Sequence, residues 1–315
     1  MGNFRCWLLM LILSASSALC AQDADSLFLD SSGFTAEDSL SIFNLIDSLL
    51  NMDTKLASQL AVRIGYNSNV LSAGRTLGIE NFGLSPGISF YHTSGLYVDV
   101  SSYWSKDFDP SYYLTIASLG FMHDFSDKIS ILAGYDRYFY NTSDGYDYIP
   151  YKNACAVTPI LEFKPVMFTL NYTFYFGDQL AHRLMPGLGL TFEKRKLWGI
   201  DRIAILPSIY MLWGTDQVTT IEYVAPKNLL EALQNIQKYG TRFSLVQTTK
   251  NINGIMNYAF SLPLSIHHKN WNFMITYGYA IPKALPGEAL TLTESSYLTG
   301  SLTYFIDLTR HKKPL

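Results

Sequence analysis

Between about residue 56 and residue 308 the chain keeps a period of two, in runs of about ten residues or more. In the clearest run Val166, Phe168, Leu170, Tyr172, Phe174 and Phe176 share one face, and Met167, Thr169, Asn171, Thr173 and Tyr175 share the other. Trp271 to Ile281 repeats this, with Trp271, Phe273, Ile275, Tyr277, Tyr279 and Ile281 against Asn272, Thr276 and Gly278. Strands of globular sheets usually stop after about five or six residues. Strands that cross a bilayer need about 9–11. No stretch after the first segment reaches eighteen apolar residues, so a chain of this kind enters a membrane only as strands. A soluble sandwich or periplasmic barrel also alternates. Strand length, and aromatics gathered near the strand ends as interfacial girdles, favour a transmembrane barrel.

Twelve such segments are expected, beginning near Leu56, Asn81, Gly95, Tyr112, Lys128, Asn153, Pro165, Leu184, Trp198, Gly254, Asn270 and Tyr297. The connections sort by parity. Those after even-numbered strands are tight: Thr93-Ser94-Gly95, Ser126-Asp127, Lys164-Pro165, the Lys194 to Lys196 corner and Lys269-Asn270. Those after odd-numbered strands are mostly longer: 68–80, 106–111, 141–152, 177–183, 214–253 and 282–296. Outer-membrane barrels have short periplasmic turns and longer extracellular loops. The fold class expected is therefore all-β, an antiparallel transmembrane β-barrel of about 12 strands, with both termini periplasmic. Proline recurs inside strands at Pro86, Pro159, Pro186, Pro207 and Pro263, where a missing donor predicts bulges or local bends.

Composition agrees. Charged residues are only 16% and aromatics 15%, as in a chain that shows much of its surface to something other than water. A net charge of −3 leaves no footprint for nucleic acid, and none is expected as a partner. Residues 1–21 read as a signal peptide: Arg5, the apolar run Trp7 to Leu13, then small residues up to Ala21. Cys6 and Cys20 fall in that segment, so Cys155 alone remains and no intrachain disulfide framework can form. The barrel assignment covers 55–315, and export to the cell outer membrane follows from it.

The signal ending in Ala-Gln, the Tyr-rich strands and the segments of the Ser85-Pro86-Gly87-Ile88-Ser89 type resemble outer-membrane barrel proteins of the Bacteroidota. The likeness covers about Leu56 to the C-terminus, and such a family carries no catalytic residues to transfer. Leu298 to Leu308 also resembles the barrel-assembly signal of such proteins, which implies the barrel-assembly machinery as a partner during biogenesis. It departs from that pattern in that Thr309 to Leu315 follow it.

Two segments lie outside the barrel pattern. Residues 22–54 form an acidic arm with seven carboxylates and no Lys or Arg. Thr35-Ala36-Glu37-Asp38 has the form of a capping box, and Ile42, Leu45, Ile46, Leu49 and Leu50 recur at helical spacing. The arm is expected to be a short amphipathic helix or a solvated linker, docked at the periplasmic mouth or tethering a periplasmic partner. The second is the insert 214–253, where Pro226 opens a helical pattern of Leu229, Leu230, Leu233, Ile236 and Tyr239 that Gly240 stops. It is expected to pack on the hairpin beneath it, to cap the barrel mouth, or to bind a surface partner.

No GxSxG, HExxH, Walker loop or CxxC occurs, and the His-x-Ser-Asn pattern of the outer-membrane phospholipase is absent. On a strand the neighbours His267 and His268 would point to opposite faces, which suits no single metal, and a turn position is the simpler reading. No enzyme activity, catalytic residue, cofactor or metal is expected. If the apolar faces meet outer-membrane lipid, the opposite faces line a lumen. The lumen-lining candidates are Arg63, Tyr97, Asp99, Tyr103, Asp136, Tyr138, Glu162, Asn171 and Tyr175, with Asn257 and Ser265. Over 128–140 the phase is ambiguous, because Asp136 and Arg137 compete for the inside. Either the lumen passes small polar solutes, or Arg63 pairs with Asp99, Asp136 or Glu162 and the interior is a filled core. The function expected is a narrow channel or transporter. The alternative is a non-transporting surface barrel that binds a partner through its loops or arm.

Overall fold

A computed structural model describes residues 58–68, 83–106, 110–141, 151–286 and 292–308. The signal, the acidic arm and Thr309 to Leu315 lie outside the described residues. The strands are β1 (Gln59–Asn67), β2 (Gly83–Tyr91), β3 (Leu96–Ser105), β4 (Tyr112–Ser126), β5 (Ile129–Tyr140), β6 (Asn153–Phe163) and β7 (Val166–Phe176). They continue with β8 (Leu180–Leu190), β9 (Phe192–Leu197), β10 (Ile200–Ile205), β11 (Ser208–Val224), β12 (Ser244–His268), β13 (Trp271–Pro282) and β14 (Ser295–Asp307). One helix, α1 (Leu229–Tyr239), lies between β11 and β12.

Every pairing is antiparallel, and from β1 to β8 consecutive strands pair in turn. β1 closes on β14, from Gln59 opposite Asp307 to Asn67 opposite Thr299. β8 pairs with β11, and β11 with β12. The ring is therefore β1 to β8, then β11 to β14: a closed barrel of twelve strands. β9 continues β8, and β10 leads into β11. This pair forms a hairpin beyond the β6–β7 turn, with β10 also held on β12. Its tip is Trp198-Gly199 between Leu197 and Ile200, with φ of 54° and 82°. Two positive φ values make the primed turn that matches strand twist, and glycine takes one of them without strain.

The connections at the end where β1 begins and β14 finishes are tight, apart from the β9–β10 hairpin that joins β8 to β11. At the opposite end the sorting is less strict than the sequence suggests. Only Gly177, Asp178 and Gln179 join β7 to β8. Most of the 214–253 insert is strand, because β11 runs on to Val224 and β12 starts at Ser244.

The prolines do not make bulges. The register shifts lie at Tyr103/Trp104, Asp124/Ser126 and Leu212/Trp213. Beside Pro86, Pro159 and Pro186 the ladder skips pairs on one side and resumes in the same register. A missing N–H removes one bond to one neighbour, while the other neighbour still holds the strand in phase. Pro207 does mark a break, between β10 and β11.

The walls divide by chemistry as the period of two requires. Leu170, Phe168 and Tyr172 are exposed outside, whereas Met167, Thr169, Asn171 and Thr173 are buried inside. Val98, Val100, Ile88, Phe273, Leu298 and Leu302 extend the apolar outer band around the ring. In β5 the even residues face inward. Asp136 is inside, and Arg137 is outside, over the Phe139 ring and bonded to Asn153 Oδ1 at 2.7 Å.

Candidate functional site: the barrel interior

The inner wall is built from the inward face of every strand, so its chemistry follows directly from strand phase. Arg63, Tyr97, Asp99, Tyr103, Asp136, Tyr138, Glu162, Asn171, Tyr175, Asn257 and Ser265 all lie on inward positions. They do not form one constellation.

Arg63 and Asp99 meet across β2, with Arg63 Nη2 3.4 Å from Asp99 Oδ1 and 2.8 Å from Ser101 Oγ. Ser101 Oγ donates to Asp99 Oδ2 at 2.7 Å, and Ser89 Oγ donates to Oδ1. The carboxylate is thus held by two hydroxyls and one guanidinium, and both side chains of the pair are only 11% exposed. Of the three carboxylates the sequence offers Arg63, the structure selects Asp99. Glu162 sits instead at the β6–β7 turn, 3.7 Å from Lys164.

A second group is uncharged. Asn171 Nδ2 donates to Thr158 Oγ1 at 2.8 Å, and Thr173 Oγ1 donates to Asn171 Oδ1 at 2.9 Å. Ser265 Oγ donates to Asn272 Oδ1 at 3.0 Å on the far wall. Asn257 Oδ1, buried on β12, meets no donor in the structure.

Three aromatic and apolar clusters lie between these polar groups. Tyr103, Tyr138, Tyr151 and Tyr175 pack with Leu114 and Ile116 in one cluster. Tyr91, Tyr97, Leu132 and Phe305 pack in another, with Ala61. Met185, Leu212, Met256 and Leu285 form a third. Tyrosines lie directly across glycines on the next strand: Tyr97 opposite Gly120, Tyr210 opposite Gly187 and Tyr297 opposite Gly278. A Cβ at Gly120 or Gly278 would fall among the ring atoms of its partner tyrosine. Glycine thus lets the ring lie flat on the wall.

Sequence reasoning missed Arg183, because it began that strand at Leu184. β8 starts at Leu180, and its odd residues Ala181, Arg183 and Met185 point inward. The Arg183 guanidinium donates to the carbonyls of His182 and Thr215. Leu285 lies beyond the strand pattern, so no alternation could have found it. Among the described residues no group of three or more His, Cys, Asp or Glu could hold a metal. His267 lies inside near Phe305, and His268 is exposed beside Asp201.

Outside the barrel, α1 departs from expectation. Its cap is Asn228, two residues after Pro226: Asn228 Oδ1 accepts from Glu231 N at 2.8 Å, and the Glu231 carboxylate accepts from Lys227 N at 2.8 Å. Gly240, at φ 71°, ends it. Leu229 (80% exposed), Leu230, Leu233 and Ile236 stay in the open rather than packed on the hairpin.

No protein-family model matches this chain, and no curated protein matches it by sequence. Among solved structures it is similar to the KdgM porin, with TM-score 0.43 and 10% identity over 78% of this chain and 98% of that one. It is similar to the NanC porin, with TM-score 0.39 and 11% identity over 78% and 98%. It is also similar to LpxR from Salmonella typhimurium, with TM-score 0.38 and 12% identity over 79% and 100%. The functional reading rests on the barrel's own two walls.

Proposed function

We propose that the protein is an outer-membrane β-barrel that serves as a narrow channel for small polar solutes. One observation carries the reading: the inner wall presents hydroxyl and amide side chains on nearly every strand, beneath an outer wall that is apolar. Ser89, Ser101, Thr158, Thr169, Asn257, Ser261, Thr276 and Thr303 are examples, all buried inside. A polar group taken from water without a hydrogen-bond partner costs about 1–3 kcal/mol. An interior that served only as core has to give every such group a partner within the protein, as Ser89, Ser101 and Thr158 have, whereas a wet lumen does not. A polar lumen inside an apolar band suits water and polar solutes. Eight strands are just filled by side chains and 16–18 leave an aqueous channel, so a ring of twelve gives a narrow path. The test is purified, inserted protein in planar bilayers. Stepwise conductance is expected; silence after verified insertion overturns the reading.

The second reading, a surface barrel that binds a partner, is favoured by the exposed apolar side of α1. On that reading the bilayers stay silent, and replacing Leu229, Leu230 and Leu233 by Ser abolishes partner capture.

A further inference from the structure

Away from the strand ends, four charged side chains face inward among the described residues: Arg63 on β1, Asp99 on β3, Asp136 on β5 and Arg183 on β8. They differ in what meets them. Arg63 and Asp99 offset one another, 3.4 Å apart, and two serine hydroxyls donate to the carboxylate. Arg183 is 5% exposed, and its guanidinium donates to the carbonyls of His182 and Thr215, so its charge is sunk in the wall. Asp136 stays partly exposed. The Ser118 hydroxyl donates to its carboxylate, and among the described residues no cation pairs with it.

Its place follows from the register. Ser89 lies opposite Asp99, Asp99 opposite Ser118, and Ser118 opposite Asp136, which makes one polar row across β2 to β5. The row runs between two apolar clusters, with Tyr97 and Leu132 on one side and Tyr103 and Tyr138 on the other. The charged neighbour of Asp136 in this row is Asp99, whose charge Arg63 already offsets. One negative charge is therefore left over on this wall, inside the span.

We propose that Asp136 makes the passage prefer small monovalent cations over anions. The inference rests on the channel reading and names the class of solute. Carboxylates on a pore wall are a device by which cation pathways choose. Walls of low dielectric focus the field of one fixed charge into the passage, so it attracts counter-ions and repels like ions more than it would in open water. A cation crossing the row can exchange part of its water shell for the oxygens of Asp136 and Ser118. Chloride gains no such partner, since Arg63 Nη2 is turned to Asp99 and Ser101.

The test measures the potassium-to-chloride permeability ratio in planar bilayers under a salt gradient, at mildly alkaline pH so that carboxylates are ionised. Wild type, Asp136→Asn, Asp136→Glu and Arg137→Gln are compared, each first shown to run as a compact band in cold detergent. Wild type is expected to favour potassium several-fold. Asp136→Asn should bring the ratio close to equality, and Asp136→Glu should keep the preference. Arg137→Gln, on the outer face of the same strand, should leave it as it is. If wild type conducts without preferring potassium, or Asp136→Asn leaves the preference intact, the assignment to Asp136 is wrong and the channel stands. An equal change from Arg137→Gln overturns it too. If all four folded proteins stay silent, the channel reading fails and the cation preference with it.

Discussion

At the scale of the residue, the interior depends on pairs that cannot be halved. Arg63 and Asp99 are both nearly enclosed, and the two serines on Asp99 donate to it but carry no charge. Removing one partner of a buried pair leaves the other uncompensated and costs about 3–5 kcal/mol, while removing both is often neutral. Arg63→Met should therefore lower the urea midpoint of the folded barrel in lipid vesicles by about that equivalent, and Arg63→Met with Asp99→Asn should recover most of the loss. Equal destabilisation of single and double variants would refute this account. The Tyr97–Gly120 pair gives a second case: Gly120→Val sets a side chain where the Tyr97 ring lies, and overpacking of this kind costs about 1–3 kcal/mol. Tyr97→Ala should relieve part of it, seen as a partial return of the unfolding midpoint. These pairs also mark how far the residues were legible in the sequence. The period of two puts Thr169 inside and Leu170 outside without any coordinates. It cannot say that Arg63 meets Asp99 rather than Asp136 or Glu162, because register across strands is not written within one strand. Nor can it align Tyr97 with Gly120.

At the scale of the element, strand positions were legible to within a few residues wherever alternation ends in a tight turn. β4 and β6 begin at the expected Tyr112 and Asn153, and β5, β7 and β13 one residue after the expected starts. The reading failed where no turn residue breaks the chain. β12 begins at Ser244 rather than near Gly254, since it climbs beyond the barrel with β11, where polar residues alternate as readily as apolar ones. The hairpin of β9 and β10 was invisible for the opposite reason: its charged strand looks like a turn. That hairpin is tied down by Asp201, whose carboxylate accepts from Lys269 N at 2.6 Å and lies 3.6 Å from His268 Nδ1. The Lys269 amide, and then the nearby His268, His267 and Lys269 charges, hold Asp201 below the ordinary carboxylate value. A depressed carboxyl pKa favours the folded hairpin fully above the unfolded value, about 3.9, and that contribution fades as pH falls through the lower folded value. The Lys269 amide resonance in micelles should titrate with a midpoint below about 3.9, and Asp201→Asn should abolish the titration. A midpoint at or above that value would show that the contact does not persist in solution.

At the scale of the whole molecule, the barrel is built inside out relative to a water-soluble one, and this decides how it should behave in bulk. Its outward positions hold Val98, Val100, Leu119, Phe168, Leu170, Phe273 and Leu302, each 40% or more exposed apart from any lipid. Such a band in water invites aggregation, because contiguous apolar surface beyond a few hundred Å² is rare on soluble monomers. In hydrocarbon the same band is at rest, and each of the twelve strands of the ring finds both its partners through the closure of β1 on β14 and of β8 on β11. Closure also makes unfolding cooperative, since opening any seam exposes two rows of unsatisfied backbone groups at once. The protein should therefore need detergent for extraction and run as a compact band in cold detergent, shifting to the position of its fully unfolded chain only after boiling. Leu170→Arg sets a cation on the outer wall of β7, where a midplane arginine costs about 2–4 kcal/mol, and should lower the temperature of that shift. The same cation at an exposed site on α1, such as Leu229→Arg, should not, because that helix lies beyond the wall. A protein recovered from the soluble fraction without detergent, folded and monomeric, would overturn the membrane assignment outright. Equal effects of the two arginines would instead show that β7 does not face hydrocarbon at Leu170.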